Sequence, residues 1–230
     1  MQTSRTSYAS SASATQALFS RIYAWMTAGL LVTAAVAFAS YTTGALLTLM
    51  SYGRFALIGV IIVELGVVWY LSARINSLSV SAAAGLFLAY AALNGLTISV
   101  VLFAFTLGST ASVFLITALM FAGTSVYGFT TGRDMSSWGS ILFMGLFGLI
   151  IASVVNLFLR SEMLGWIVSF VGVLLFTALT AYDTQKLKAL SETVEGEVET
   201  GRLAILGALT LYLDFINLFL FLVRILGRRR

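Results

Sequence analysis

The chain has 230 residues, of which 60% are hydrophobic and only 10% are charged, and its formal net charge is +4. A sequence this apolar cannot fold around one aqueous core without exposing large apolar patches, which excludes a water-soluble globular protein. It contains no cysteine and no histidine, which excludes disulfides, thiolate metal sites and histidine proton switches. Most of the positive excess is the terminal run Arg228 to Arg230, which favours contact with lipid head groups rather than nucleic acid.

A polar head and seven apolar stretches follow one another along the chain, each stretch long enough to cross a hydrocarbon layer of about 30 Å. Residues 1–17 are small and polar, and they predict a disordered N-terminal segment. Residues 18–230 predict a single seven-helix transmembrane domain, because uniformly apolar spans must be helices. The predicted spans are 18–41, 54–73, 80–107, 111–131, 138–159, 164–186 and 203–225. The sequence therefore indicates an all-α, multi-pass membrane protein.

The distribution of Lys and Arg leaves the side of the carboxyl end open. If the amino terminus lies on the cytoplasmic side, seven spans place the terminal arginines on the opposite side. Positively charged segments, however, favour the cytoplasmic side. Either the tail lies outside, or one stretch does not fully cross. The last span, which carries Asp214 near its middle, is the main candidate for a partial or re-entrant segment.

Two aspartates lie within the last two apolar stretches, Asp183 in the sixth and Asp214 in the seventh. A charged carboxylate at bilayer depth costs roughly 2.5 kcal/mol or more. Two such residues on neighbouring spans therefore indicate a functional site rather than a chance placement. Antiparallel neighbours would bring the two acids to similar depths. At hydrogen-bonding distance they would share a proton and titrate as a unit, and loss of that proton would separate the helices or admit a cation. We therefore predict a pH sensor and gate.

Each aspartate shares one face of its helix with other polar residues. Such stripes either line an ion path or simply join helices through hydrogen bonds, as Ser, Thr and Asn commonly do inside membranes. The two stripes are Thr177, Thr180 and Asp183 on the sixth span, and Thr210, Asp214 and Asn217 on the seventh.

Glu64 is a third acid within an apolar span, and only apolar residues lie three and four positions from it. It needs a proton, water or a partner from another helix, and it is a candidate for the conduction path. Arg74 at the end of the same span could reach an acid or extend to the interface. On the third span, Tyr90, Asn94 and Thr97 share one face that could line a path or bond between helices.

Four sequence blocks in order resemble the Bax inhibitor (YccA-like) family, most closely its bacterial YbhL-type branch. The resemblance covers nearly all of the chain after the polar head. It implies a seven-helix bundle of the bacterial inner membrane whose last helix is central. The blocks are LAYAALNGLTISVVLFAFT, YGFTTGRDMSSWGSILFMGLFG, ALTAYDTQKLK and LGALTLYLDFINLFLFLVRILG.

The same resemblance implies a pH-sensitive calcium leak channel. Family members close through an aspartate pair in the last two helices, and Asp183 and Asp214 occupy those motif positions. An arginine of the second span acts against these acids in channel-like relatives, which here corresponds to Arg74. Two or three acids are too few for tight Ca²⁺ binding, so we expect only transient contact of Ca²⁺ with Asp183 and Asp214 and no bound cofactor.

Two other functional classes compete with a channel. An intramembrane aspartyl protease also pairs acids on its sixth and seventh helices, but the second motif here is LYLD rather than GxGD, and a chain without proline cannot contain a PAL element. We therefore expect no enzyme. The second class is a regulatory protein, since relatives suppress cell death or modulate a membrane-bound AAA protease of the FtsH type.

Overall fold

The computed structural model describes residues 2–230, except the side chains of residues 2–12 and of Arg54. Over this range the chain is helical and contains no strand. A short 3₁₀ turn, Ile75–Ser77, follows the third helix. The α-helices are α1 (Gln2–Thr43), α2 (Ala45–Ser51), α3 (Arg54–Arg74), α4 (Val80–Ala104), α5 (Leu107–Thr130), α6 (Trp138–Leu159), α7 (Glu162–Ser191) and α8 (Glu197–Leu226).

The all-α fold with seven spans is confirmed, because every helix except α2 is long and apolar enough to cross a membrane. The sequence missed α2, a seven-residue helix that follows the left-handed residue Gly44. The 30 residues of α8 run through Asp214 without a break, a length of about 45 Å at 1.5 Å per residue. A helix of that length is long enough to cross the hydrocarbon, so a re-entrant last segment is not needed.

The predicted N-terminal boundary falls inside α1, whose helical backbone begins at Gln2. Met1 and the side chains of residues 2–12 lie outside the described residues, and the disorder of segment 1–17 stays a prediction. The chain divides into two compact units, Met1–Ala104 with Ala189–Tyr212, and Phe105–Lys188 with Leu213–Arg230. The single transmembrane domain predicted for residues 18–230 likewise stays a prediction.

In the first unit, α4 packs against both α1 and α3. Small residues allow this close approach: a Cβ added to Gly95 would lie 2.7 Å from the Thr33 carbonyl oxygen. The rings of Phe87 and Tyr90 on α4 meet Tyr212 edge-on at 5.6 and 5.8 Å. Tyr212, which has no exposed surface, is therefore at the centre of this unit's core.

In the second unit, aromatic rings from α5 and α7 pack on the last turns of α8. Phe215 contacts Phe114 and Phe121 at 5.2 and 5.6 Å, and Phe176 stacks on Phe221 at 5.9 Å. Of the most apolar window of α8, 67% is buried, compared with 11% for α3 and for α6. The last helix thus supplies core residues to each unit, as the expectation of a central last helix requires.

Candidate functional site: a buried aspartate pair

The two predicted aspartates form a side-chain pair in the second unit. Asp183 lies on α7 and Asp214 on α8, and their carboxyl groups interact through a hydrogen bond as well as through charge. Asp214 is 5% exposed, and Asp183 is half-buried. The structure therefore brings together the two acids that the sequence singled out.

One oxygen of the pair has no donor near it. Asp214 Oδ2 is buried and lacks a hydrogen-bond partner among the residues that the structure describes. Buried polar atoms in folded proteins are nearly always hydrogen-bonded, so an unsatisfied carboxyl oxygen requires an explanation. A proton carried by one of the carboxyl groups would provide the donor for their mutual bond and would leave the pair with a single negative charge.

Two charged residues of the second unit, Lys186 and Asp134, have different surroundings. Lys186, exposed one turn after Asp183 on α7, interacts with Asp183 electrostatically. Asp134, in the loop before α6, is fully exposed, and its Oδ1 accepts a hydrogen bond of 2.8 Å from the Ser136 N–H. That bond holds the pKa of Asp134 below its usual value, so this loop carboxylate stays charged near neutral pH.

A close helix crossing positions Asp183. Any Cβ on Gly128 of α5 would collide with the carbonyl oxygen of Ala181 on α7, so only glycine fits at this crossing. The hydroxyls of Ser125 and Thr184 meet 3.0 Å apart on the same interface. Gly128 belongs to the GxxxG sequence in GFTTG, but Gly132 has nothing within 4 Å and takes no part in the crossing.

A polar clamp also holds α7 beside the loop that follows α5. The Gln185 amide donates to the Arg133 carbonyl oxygen at 2.8 Å and accepts from the Met135 N–H at 2.8 Å. Lys188 Nζ donates to the carbonyl oxygen of Phe129 at 2.9 Å. The sequence did not single out these residues, since polar side chains near a helix end usually indicate solvent exposure.

The predicted polar stripes are satisfied mainly within their own helices. The hydroxyls of Thr177, Thr180 and Thr210 each donate to the carbonyl four residues earlier, at 2.7 to 3.0 Å. Asn217 Nδ2 donates to the Leu213 carbonyl oxygen at 2.8 Å. These bonds favour the structural interpretation of the stripes, and the pathway roles of Thr210 and Asn217 stay predictions.

Glu64 lies in a separate polar network in the first unit. Thr97 donates to Glu64 Oε1 at 2.9 Å, and the Asn94 side chain bonds to the same carboxyl group. Tyr212 donates to Asn94 Oδ1 at 3.0 Å, and the Thr33 hydroxyl lies 2.6 Å from the Tyr212 hydroxyl. At 8% exposure, Glu64 thus has the interhelical partner that its sequence position requires.

Arg74, the arginine that the family resemblance places against the acids, is exposed at the end of α3. Its backbone carbonyl accepts hydrogen bonds from Ser77 and Leu78. Its guanidinium forms no ion pair with any carboxylate in the described part of the chain. An interaction of Arg74 with the aspartates stays a prediction.

Seven apolar helices and a buried pair of acids define a multi-pass integral membrane protein with an ionisable site inside its spans. Residues 15–230 match the family described as inhibitor of apoptosis-promoting Bax1. The chain belongs to this Bax inhibitor family, which confirms the resemblance found in the sequence.

Three relatives are similar to this chain over most of their length, and two of them are described as membrane proteins. The chain is 50% identical to the inner membrane protein YbhL of Escherichia coli over 218 residues, 94% of this chain and 93% of the relative. A protein of Borreliella burgdorferi is 41% identical over 91% of each chain. A membrane protein of Streptococcus pyogenes is 42% identical over 74% of this chain and 73% of its own. The predicted multi-pass inner-membrane location is confirmed.

Proposed function

We propose that this member of the Bax inhibitor family is a pH-sensitive leak channel for Ca²⁺ or a related cation. The observation that carries the proposal is the pairing of Asp183 with Asp214, whose Oδ2 is buried and has no hydrogen-bond partner among the described residues. Ionisable groups inside membrane spans are rare, and they typically mark ion pathways or proton relays. The proposal involves neither catalysis nor a bound cofactor.

The pair acts as a gate through its proton. With one proton shared, the two carboxyl groups attract each other and hold α7 against α8. When that proton leaves, two like charges about 4 Å apart repel by about 4 kcal/mol at an effective dielectric constant of 20. That repulsion favours separation of the two helices or entry of a cation between them, so the leak rises as the pH rises.

Two carboxylates suit transient contact with a permeating Ca²⁺ ion better than tight binding of Ca²⁺. Tight Ca²⁺ sites take about six to eight oxygen ligands, many more than this pair supplies. A permeant ion must leave as readily as it enters, which requires weak contacts. Ca²⁺ would therefore touch Asp183 and Asp214 only transiently.

The test is Ca²⁺ flux into dye-loaded proteoliposomes over a pH range from about 5 to 8. We expect a leak that grows with pH in the wild type and a flattened pH profile in Asp183→Asn and Asp214→Asn, which cannot form the doubly charged pair. Asp134→Asn is the matched control, because that carboxylate stays ionised across the range and its loss should leave the profile unchanged.

Absence of flux above empty liposomes at every pH would sink the channel proposal. The regulatory alternative, binding to a membrane-bound AAA protease of the FtsH type, would then take first place. Deletion of residues 2–15 separates the two functions. A partner-dependent phenotype should change on this deletion, whereas an ion leak should not.

A further inference from the structure

A cavity of about 600 Å³ opens in the second unit where α6 ends, α7 begins and α8 approaches its last turn. Two arginines line it, Arg160 directly after α6 and Arg224 on α8. Asn156 also lines the cavity, and its Oδ1 accepts a 3.0 Å hydrogen bond from the Ser161 N–H. The cavity therefore combines two positive charges with a fixed amide.

The positive charge in this cavity is uncompensated. Neither Arg160 nor Arg224 forms an ion pair with a carboxylate among the residues described. Arg224 lies over the Phe221 ring at 5.6 Å, which orients its guanidinium without neutralising it. Glu162, the one acid in the first turn of α7, makes no ion pair with them. The positive end of the α7 dipole adds to the same field.

Arg160, which lines the cavity, has an unusual backbone conformation. Its φ of 51° lies in the left-handed region, and it is the only described residue other than glycine with positive φ. A helix ending normally places glycine there, because the Cβ of any other residue strains the left-handed conformation. An arginine at this position indicates that its side chain contributes something glycine could not.

Exposed apolar side chains line the cavity beside the two arginines. Leu157 and Phe158 line it and are 73% and 78% exposed, as side chains facing acyl chains would be. One turn into α7, Trp166 stacks on Phe170 at 5.5 Å and is itself exposed. Tryptophan is enriched at the membrane–water interface, which places the arginines at head-group depth.

We propose that this cavity binds the phosphate head group of an anionic phospholipid. Arg160 and Arg224 contact the phosphate oxygens, and Leu157 and Phe158 pack against its acyl chains. Arginine is well suited to phosphate because its planar guanidinium offers two parallel donors. Basic cavities between transmembrane helices bind anionic head groups by this chemistry. The site is separate from the aspartate pair and does not depend on ion conduction.

Lipid titration of the purified full-length protein, followed by native mass spectrometry, tests the proposal. Phosphatidylglycerol and phosphatidylcholine with identical acyl chains are compared. We expect phosphatidylglycerol to bind the wild type preferentially. Arg160→Gln with Arg224→Gln should weaken that binding by roughly 30-fold, the factor expected for two head-group cation contacts. Arg133→Gln, which removes a loop arginine from elsewhere in the unit, is the control and should bind as the wild type does.

Equal binding of the two lipids, or a double variant that keeps the preference, would overturn the proposal. A separate arm uses inorganic phosphate without lipid. Saturation by phosphate with the same arginine dependence, and no preference for phosphatidylglycerol, would identify a soluble anion site and refute the lipid site. Arg160→Lys with Arg224→Lys guards against misfolding, because it keeps both charges and should retain part of the preference.

Discussion

Gly128 offers the sharpest test of how the aspartate pair is positioned, because it lies where α5 crosses α7. Replacing it with alanine adds one methyl group at a point where Ala181 presents its backbone carbonyl. A side chain could turn aside, but a carbonyl within a helix cannot, so the two helices must move apart. Asp183 lies two residues beyond Ala181 and would move with α7.

The magnitude comes from comparing two glycines of the same helix. Gly123 has nothing within 4 Å of an added Cβ, so Gly123→Ala introduces only the helix preference of alanine, a gain of about 1 kcal/mol. Gly128→Ala has the same preference but adds overpacking, which costs typically 1–3 kcal/mol. The preference cancels between them, and we expect Gly128→Ala to be less stable than Gly123→Ala by about 1–3 kcal/mol.

Reversible unfolding of both variants in mixed micelles, followed by far-UV circular dichroism, measures that difference. Ca²⁺ flux in proteoliposomes supplies a second readout, since a displaced α7 should alter the pH profile only in Gly128→Ala. Equal unfolding free energies for the two variants would refute the close crossing of α5 and α7.

Two further predictions concern the polar contacts of each unit. Tyr212→Phe removes two buried hydrogen bonds and should lower the unfolding free energy by about 1–3 kcal/mol. Tyr127→Phe is the control, because that ring is half-exposed and its change should alter the unfolding free energy little. Equal unfolding free energies for the two variants would contradict the hydrogen-bond network around Tyr212. Gln185→Leu removes both hydrogen bonds from the Gln185 amide to the loop before α6. We expect faster trypsin cleavage after Arg133 in the folded variant. An unchanged cleavage rate would show that the clamp does not hold the loop.

Much of the fold could be read from the chain because lipid imposes strong local rules. Seven spans followed from apolar length alone, since a backbone in hydrocarbon must satisfy its own hydrogen bonds as helix. Asp183, Asp214 and Glu64 stood out for a related reason, because each ionisable group at that depth has a large desolvation penalty. The short helix α2 was not predicted, because a stretch of seven residues is too short to cross a membrane.

The amino-acid sequence shows which buried groups need partners, whereas the folded structure shows which partners they have. Glu64 required an interhelical donor, but only packing shows that Thr97 and Asn94 supply it. Arg160 and Arg224 lie 64 positions apart in the chain, and nothing local indicates that they line one cavity. The physical reason is that burial penalties act on each residue separately, whereas contacts depend on how helices distant in sequence cross.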